Sequence, residues 1–258
     1  MSQIIDSEHK EKYAGAIGAA KTQGDDSFQS WFNDAKDVHQ ATVRGFWDFS
    51  FHILTRSACK LIKEPENKVA LEIGYGGGRI LNAACDFFKE GVGVDIHSEA
   101  AATEEFLRSN GKTNFKLYTT TGRGIPVGDG SIDFVYSFIV LQHLQSFDAL
   151  EDYVKETARV LKSGGVAQLY TGRYSPLTLQ RAGFLNLGNF TKFLLHGYLE
   201  IPTALVNHVS LVVSLCKMKR LCRKHGFAIK GSGRSYKRAP DGYSKTVGGQ
   251  NYVTLLKK

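Results

Sequence analysis

The chain has 258 residues, 42% of them hydrophobic, and 33 Lys and Arg against 25 Asp and Glu give a formal charge of +8. This length suits one large domain or a core with extensions, and no apolar run reaches the roughly eighteen residues that a membrane-spanning helix needs. Four cysteines, Cys59, Cys85, Cys216 and Cys222, form no C-x-x-C pair, which argues against a zinc or disulfide framework and for reduced thiols in a cytoplasmic protein.

Residues 1–26 are polar and rich in small side chains, and they read as a loose arm with one short helix near Lys10–Lys21. Met1–Asp6 lacks the basic and apolar regions of a secretory signal, so none is expected. Over residues 27–63, Phe28, Trp31, Phe32, Val38, Val43, Phe46 and Trp47 recur at helical spacing ahead of Pro65 and predict two helices. Most of these aromatics read as core, and Phe46-Trp47-Asp48-Phe49 are the best candidates to lid a ligand site. Residues 1–64 thus form an N-terminal arm and helical lid, and 65–258 form the main domain.

Val69–Ile73 reads as a buried parallel strand, followed by a glycine-dense turn and a helix to about Lys89. Gly91–Ile96 is a second strand. Ser98 caps a helix that stops near Asn110-Gly111. Phe115–Thr119 and Ile132–Ser137 make the third and fourth strands, and a helix runs from about Asp148 to Leu161. Lys162-Ser163-Gly164-Gly165 turns into a fifth strand, Val166–Tyr170. Residues 171–208, with Pro176 and Pro202, break this rhythm and read as an insertion beside the site. A helix over Ser210–Lys224 ends at His225-Gly226, and Phe227–Lys230 and Gln250–Leu256 are two final strands. Strands alternating with helices over 69–170 predict a doubly wound α/β fold. Its sheet is mostly parallel, helices cover both faces, and ligands bind at the carboxyl ends of the strands.

The charge is uneven. From Tyr170 to Lys258 there are 15 Lys and Arg against Glu200 and Asp241, a net of +13, so the remainder carries −5. The run Lys217, Lys219, Arg220, Arg223, Lys224, Lys230, Arg234, Lys237, Arg238 has no acid between its members. It suits a solvated face, an acidic small molecule, a phosphorylated glycan or lipid headgroup, or a nucleic-acid backbone. No RNA-binding module accompanies it, so nucleic acid is not the favoured partner. The patches Phe184-Leu185-Asn186-Leu187 and Phe193-Leu194-Leu195 favour an acceptor with apolar surface, or peripheral contact at a membrane edge.

The site signal is Gly74-x-Gly76-x-Gly78, which allows a sharp turn and a close approach of backbone to ligand. A dinucleotide fingerprint would carry a further glycine where Arg79 stands. Asp95 ends the second strand, 17 residues past Gly78. It is placed to take both hydroxyls of a ribose. A nicotinamide dinucleotide or an adenosine-based methyl donor would fit.

These segments resemble the class I S-adenosylmethionine-dependent methyltransferases. Leu71–Gly78 is similar to their first motif and Gly93-Val94-Asp95 to the acid that holds the donor's ribose. Gly130–Ser137 with Val140–Leu144 is similar to the fourth-strand segment, and Arg159–Gly165 to the turn before the fifth strand. The resemblance spans about residues 65–170. It implies S-adenosyl-L-methionine as cofactor and a seven-stranded sheet whose last strand, here Gln250–Leu256, is antiparallel. It implies that the loop Gly74-Tyr75-Gly76 and Gly78 lie along the methionine part and sugar, and that Glu72 orients the methionine end. Ile96 would pack on adenine, and Ser137 and Phe138 would line the sulfonium end. Thr121 stands where many relatives carry an Asp that bonds the adenine amino group; its hydroxyl can accept one bond but lacks the charge.

Methyl transfer from a sulfonium is an in-line displacement in which positioning supplies much of the catalysis. A hydroxyl acceptor benefits from a general base. His143, just past the fourth strand, is the leading candidate, against a packing role at a helix start. Tyr170, Arg173 and Tyr174 are weaker candidates to face the acceptor, and no metal site is suggested. The expected function is S-adenosylmethionine-dependent O-methylation of a small or sugar-like acceptor carrying negative charge. An RNA methyltransferase and a non-catalytic, donor-binding interaction protein are the alternatives, and Arg79 disfavours a nicotinamide-dependent oxidoreductase.

Overall fold

The structure is a computed structural model, and it describes residues 2–33, 35–174, 187–235 and 250–258. Helices α1 (Ser2–Thr22), α2 (Asp25–Asn33) and α3 (Val38–Asp48) come first. A π-helical turn, Phe49–Ile53, and α4 (Arg56–Leu61) follow. The alternating part comprises β1 (Val69–Ile73), α5 (Arg79–Phe87), β2 (Glu90–Asp95), α6 (Ala100–Ser109), β3 (Phe115–Thr119), β4 (Ile132–Ser137), α7 (Phe147–Val160) and β5 (Leu161–Gly172). Then come α8 (Leu187–His196), β6 (Tyr198–Glu200), β7 (Leu211–Val213), α9 (Leu215–Lys224), β8 (Phe227–Arg234) and β9 (Gln250–Lys257).

Seven strands lie in the order β3-β2-β1-β4-β5-β9-β8. β1 pairs in parallel with β2 and β4, whereas β9 runs antiparallel to both β5 and β8. The antiparallel last strand thus agrees with the expected sheet. A hairpin of β6 and β7 adds two strands, joined to the far end of β5 through Gly172 and Val212.

Alternation along the strands explains the layers. Leu71, Ile73, Val135, Ala167 and Leu169 pack with Leu150 and Val154 of α7 and Met218 and Leu221 of α9. Ala70, Phe134, Tyr136 and Val166 point the other way, onto Ile80, Ala83 and Ala84 of α5 and onto Phe49 and Ile53. With side chains alternating at period two, both faces of the sheet are buried, so helices must cover both.

Several expectations are corrected. The arm is no loose segment: α1 is 21 residues long, and Tyr13, Ile17 and Ala20 form a buried stripe at helical spacing. The stretch 27–63 breaks into more pieces than two helices, because Asp37 and Thr55 cap new starts by accepting from the N–H groups of Gln40 and Ala58. Glu99, not Ser98, precedes α6, and the Ser98 hydroxyl donates to the Glu99 carboxylate at 3.0 Å instead of capping. The helix expected from Ser210 starts after Ser214, whose hydroxyl accepts from the N–H of Lys217. The β-branched run ahead of it forms β7. Of the expected insertion, residues 175–186, with Pro176 and Phe184-Leu185-Asn186, lie outside the described residues, as do Lys237 and Arg238.

Candidate active site

A cavity of about 590 Å³ lies at the carboxyl ends of β1, β2 and β4. Glu72, Gly74 to Gly77, Asp95 and Ile96 form one side, and Phe138 to Val140 with His143 form another. Tyr13 and Ile17 of α1, Trp31 and Phe32 of α2, and Asn207 from the segment between β6 and β7 complete the lining. Thr121 is also on it. The Tyr13 hydroxyl accepts from the Asn207 N–H at 2.9 Å, and the Asn207 amide donates to the Trp31 carbonyl at 3.3 Å. Two distant parts of the chain therefore meet over the cavity.

Gly74, Gly76 and Gly78 all adopt positive φ, at 81°, 51° and 82°. A Cβ on Gly74 would stand 2.3 Å from Val140, and one on Gly76 2.7 Å from Phe32. Glycine is therefore demanded by the turn and by the side chains packed onto the loop, as well as by any ligand. The loop carbonyls are held in place. Gly76 accepts from Thr103 at 2.9 Å and His97 at 3.2 Å, and Gly77 accepts from Gln29 of α2 at 2.8 Å. His97 Nδ1 accepts from the Glu99 N–H at 3.1 Å, which leaves the ring proton on Nε2, facing the Gly76 carbonyl.

Asp95 accepts from the Gly76 N–H on Oδ2 and from the Ile96 N–H on Oδ1, each at 2.7 Å. A carboxylate offers about four acceptor positions, so two remain for a vicinal diol. Glu72 is buried, and the Tyr136 hydroxyl donates to it at 3.3 Å. Burial pushes its carboxyl up to about 8, opposed by the charge of Arg79. Arg79, also on the lining, donates to Asp48 at 2.5 Å, and Asp48 faces Arg44 at 3.8 Å and His52 at 3.9 Å. Arg79 and a carboxyl that burial keeps protonated thus adjoin one end of the cavity, a pairing that suits the carboxylate of an amino acid. The buried Tyr75 hydroxyl has no hydrogen-bond partner among the described residues. The residues present therefore fit a donor with a ribose, an adenine and a methionine end.

His143 lies in the short turn Leu141–His143. Its Nδ1 donates to the His208 carbonyl at 2.8 Å. The Gln250 amide donates to Gln142 Oε1 at 3.0 Å, which leaves the Gln142 amide nitrogen to donate to His143 Nε2 at 3.1 Å. Nε2 is thereby the proton-accepting nitrogen.

Glu72, Gly74, Tyr75, Gly76, Asp95, Ile96, Thr121, Phe138 and His143 converge on the cavity. Two of the expected site residues do not line it. Gly78 ends the loop as the N-cap of α5, and the Ser137 hydroxyl turns back to donate to the Ile73 carbonyl at 3.0 Å, tying β4 to β1. The lid candidates Phe46 to Phe49 are also displaced. Phe49 is fully buried against Phe88 and Tyr136, and Trp47 stacks on Phe51. Tyr170 is buried and donates to the His52 carbonyl, and Tyr174 stacks on Phe193. Sequence reading missed Tyr13, Ile17, Arg79 and Asn207 on the lining, and Gln29, His97 and Thr103 behind the loop. Only the helical spacing of Tyr13 and Ile17 signalled any of them.

Residues 71–169 match the model of a family described as a methyltransferase domain. No curated protein matches the chain. Among solved structures, a SAM-dependent methyltransferase from Methanosarcina mazei is 21% identical, with 79% of this chain and 98% of that one covered and a TM-score of 0.58. An S-adenosylmethionine-dependent methyltransferase from Mesorhizobium loti is 14% identical, with 80% and 100% covered and a TM-score of 0.56. The mitomycin 7-O-methyltransferase MmcR is 14% identical, with 84% and 54% covered and a TM-score of 0.53. At these identities the likeness is one of fold. Residues 71–169 thus match a methyltransferase domain, and the strand order with the solved structures gives the chain the fold of the S-adenosylmethionine-dependent methyltransferases.

Proposed function

We propose that the chain O-methylates a small molecule that enters the roofed cavity beside the donor. The carrying observation is the meeting of α1, α2 and Asn207 over the loop and Asp95, which leaves a bounded space. When bound, S-adenosyl-L-methionine supplies a methyl group already activated on sulfur. Asp95 holds the ribose hydroxyls with its two remaining acceptor positions. Gly74, Tyr75 and Gly76 line the methionine part, with Glu72 and Arg79 at its charged end. Ile96 and Thr121 lie along adenine, and Phe138 at the reacting end. Once the acceptor hydroxyl displaces the Gln142 amide from His143 Nε2, that nitrogen takes its proton while the Nδ1–H stays on the His208 carbonyl, which fixes the ring. The aromatic roof excludes water.

Negative charge on the acceptor draws little support from the lining. Arg79 pairs with Asp48, Arg123 pairs with Asp152, Lys10 lines the cavity together with the acid Glu11, and Lys217 to Lys224 stand outside it. Trp31, Phe32, Leu144 and Val140 suit an acceptor with an apolar or aromatic body instead. Labelled-methyl transfer into a metabolite extract tests the reading. Wild type should label a small molecule on oxygen. His143→Ala should lose about a hundredfold or more in turnover, with S-adenosylhomocysteine still bound. Full turnover in His143→Ala removes the base role. Donor binding with no transfer to any acceptor favours the non-catalytic alternative, and label in RNA favours an RNA methyltransferase.

A further inference from the structure

The exposed apolar residues of α8 and the basic residues of α9 lie outside the donor cavity, and they adjoin each other. Helix α8 turns Phe190, Leu194 and Leu195 to solvent, the two leucines 64% and 75% exposed. Leucines exposed to this degree on one short helix have no packing role among the described residues. The helix is anchored at Tyr174, which stacks on Phe193 with ring centroids 4.5 Å apart and meets the edge of the patch at Phe190 at 5.9 Å, so its presentation is fixed.

The end of α8 abuts the start of the basic helix α9. The Ser214 N–H donates to the Gly197 carbonyl at 2.8 Å, and a Cβ on Gly197 would stand 3.0 Å from Lys217. On α9, Met218, Leu221 and Cys222 face the core, whereas Arg220, Arg223 and Lys224 are exposed. From Leu187 to Ser235 the sequence carries eight Lys and Arg and a single acid, Glu200. Glu200 is engaged, accepting from the Phe147 N–H at 2.7 Å. A third apolar point, Leu205, is 70% exposed and stands two residues before Asn207, which reaches the cavity.

We propose that the face formed by α8, α9 and the Leu205 segment docks on an anionic lipid bilayer. Charge complementarity selects this occupant. Leucines inserted among headgroups gain from burial, and flanking Lys and Arg gain from anionic lipid in the same geometry. A nucleic-acid backbone would use the cations and leave Leu194 and Leu195 without a role. Docking there brings the segment that contacts the cavity to the bilayer surface, where acceptors with apolar bodies concentrate.

Cosedimentation of the full chain with vesicles tests the assignment. The vesicles are phosphatidylcholine alone, or phosphatidylcholine with about a third phosphatidylserine. Wild type should partition onto the anionic vesicles and not onto the neutral ones, and raising salt from about 0.1 M to about 0.5 M should weaken binding. The pairs Leu194→Glu with Leu195→Glu, and Arg220→Glu with Arg223→Glu, should each reduce partitioning about tenfold or more. These residues are exposed, so melting temperature and S-adenosylhomocysteine affinity should stay at wild-type values and report an intact fold and donor site. No sedimentation of wild type, or equal sedimentation of wild type and both variants, overturns the proposal. So does binding to bulk RNA that survives the leucine changes and competes with vesicles.

Discussion

At the scale of residues, Glu72 is the most informative group. Burial raises its carboxyl to about 8, so the folded chain holds a proton there that the unfolded chain releases near the ordinary glutamate value of about 4.3. Between those two values the folded state binds more protons. Its stability therefore falls as pH rises toward 8. Glu72→Gln should flatten the decline of melting temperature between pH 5 and about 8, as calorimetry across that range would read. An unchanged slope would locate the titration elsewhere. Asp95 was legible in the sequence because it ends a short apolar strand, where a carboxylate has few structural uses, and Glu72 only through its place in the motif that the chain resembles. Gln29, His97 and Thr103 were not legible, because their task is to bond glycine-loop carbonyls 48, 21 and 27 positions away. Only folding reveals such a contact.

At the scale of elements, the strands were readable as short runs rich in β-branched and aromatic residues set between turns, and β1, β3 and β4 fall where the pattern put them. The N-terminal helices were harder, since a stripe such as Tyr13, Ile17 and Ala20 is sparse until its partner is known. Their packing is tight. A Cβ on Gly45 of α3 would stand 2.0 Å from the Arg79 carbonyl oxygen of α5. Because that neighbour is backbone, Gly45→Ala should destabilise the chain by about 3 kcal/mol, measured by chemical unfolding. A variant as stable as wild type would mean that α3 and α5 separate easily. The buried Gln29 of α2 is a second contact of this kind. Gln29→Ala leaves the Gly77 carbonyl without its side-chain donor and should cost about 1–3 kcal/mol. It should also weaken donor binding by loosening the loop; donor affinity equal to wild type would show that α2 acts on stability alone.

At the scale of the molecule, a strand-end donor site is combined with a roof drawn from both ends of the chain. Tyr13 of α1 and Asn207 beyond β6 close that roof with one hydrogen bond. Burial raises the Tyr13 phenol to about 12, so the contact persists through the neutral range. Tyr13→Phe removes the acceptor of the Asn207 N–H and should speed release of S-adenosylhomocysteine in stopped-flow experiments; an unaltered rate would show that the roof does not gate the cavity. Of the basic run that suggested an anionic acceptor, Arg220, Arg223 and Lys224 are exposed on α9, outside the cavity. Sequence order could not reveal that separation, because charge counts carry no direction. Calorimetric titration of S-adenosylhomocysteine into wild type and Asp95→Ala tests the proposal that the glycine loop and Asp95 form the donor site. Wild type should bind, and the variant should lose about tenfold or more in affinity while keeping its fold by circular dichroism. Equal binding by both chains, or binding of NAD in place of S-adenosylhomocysteine, would contradict it.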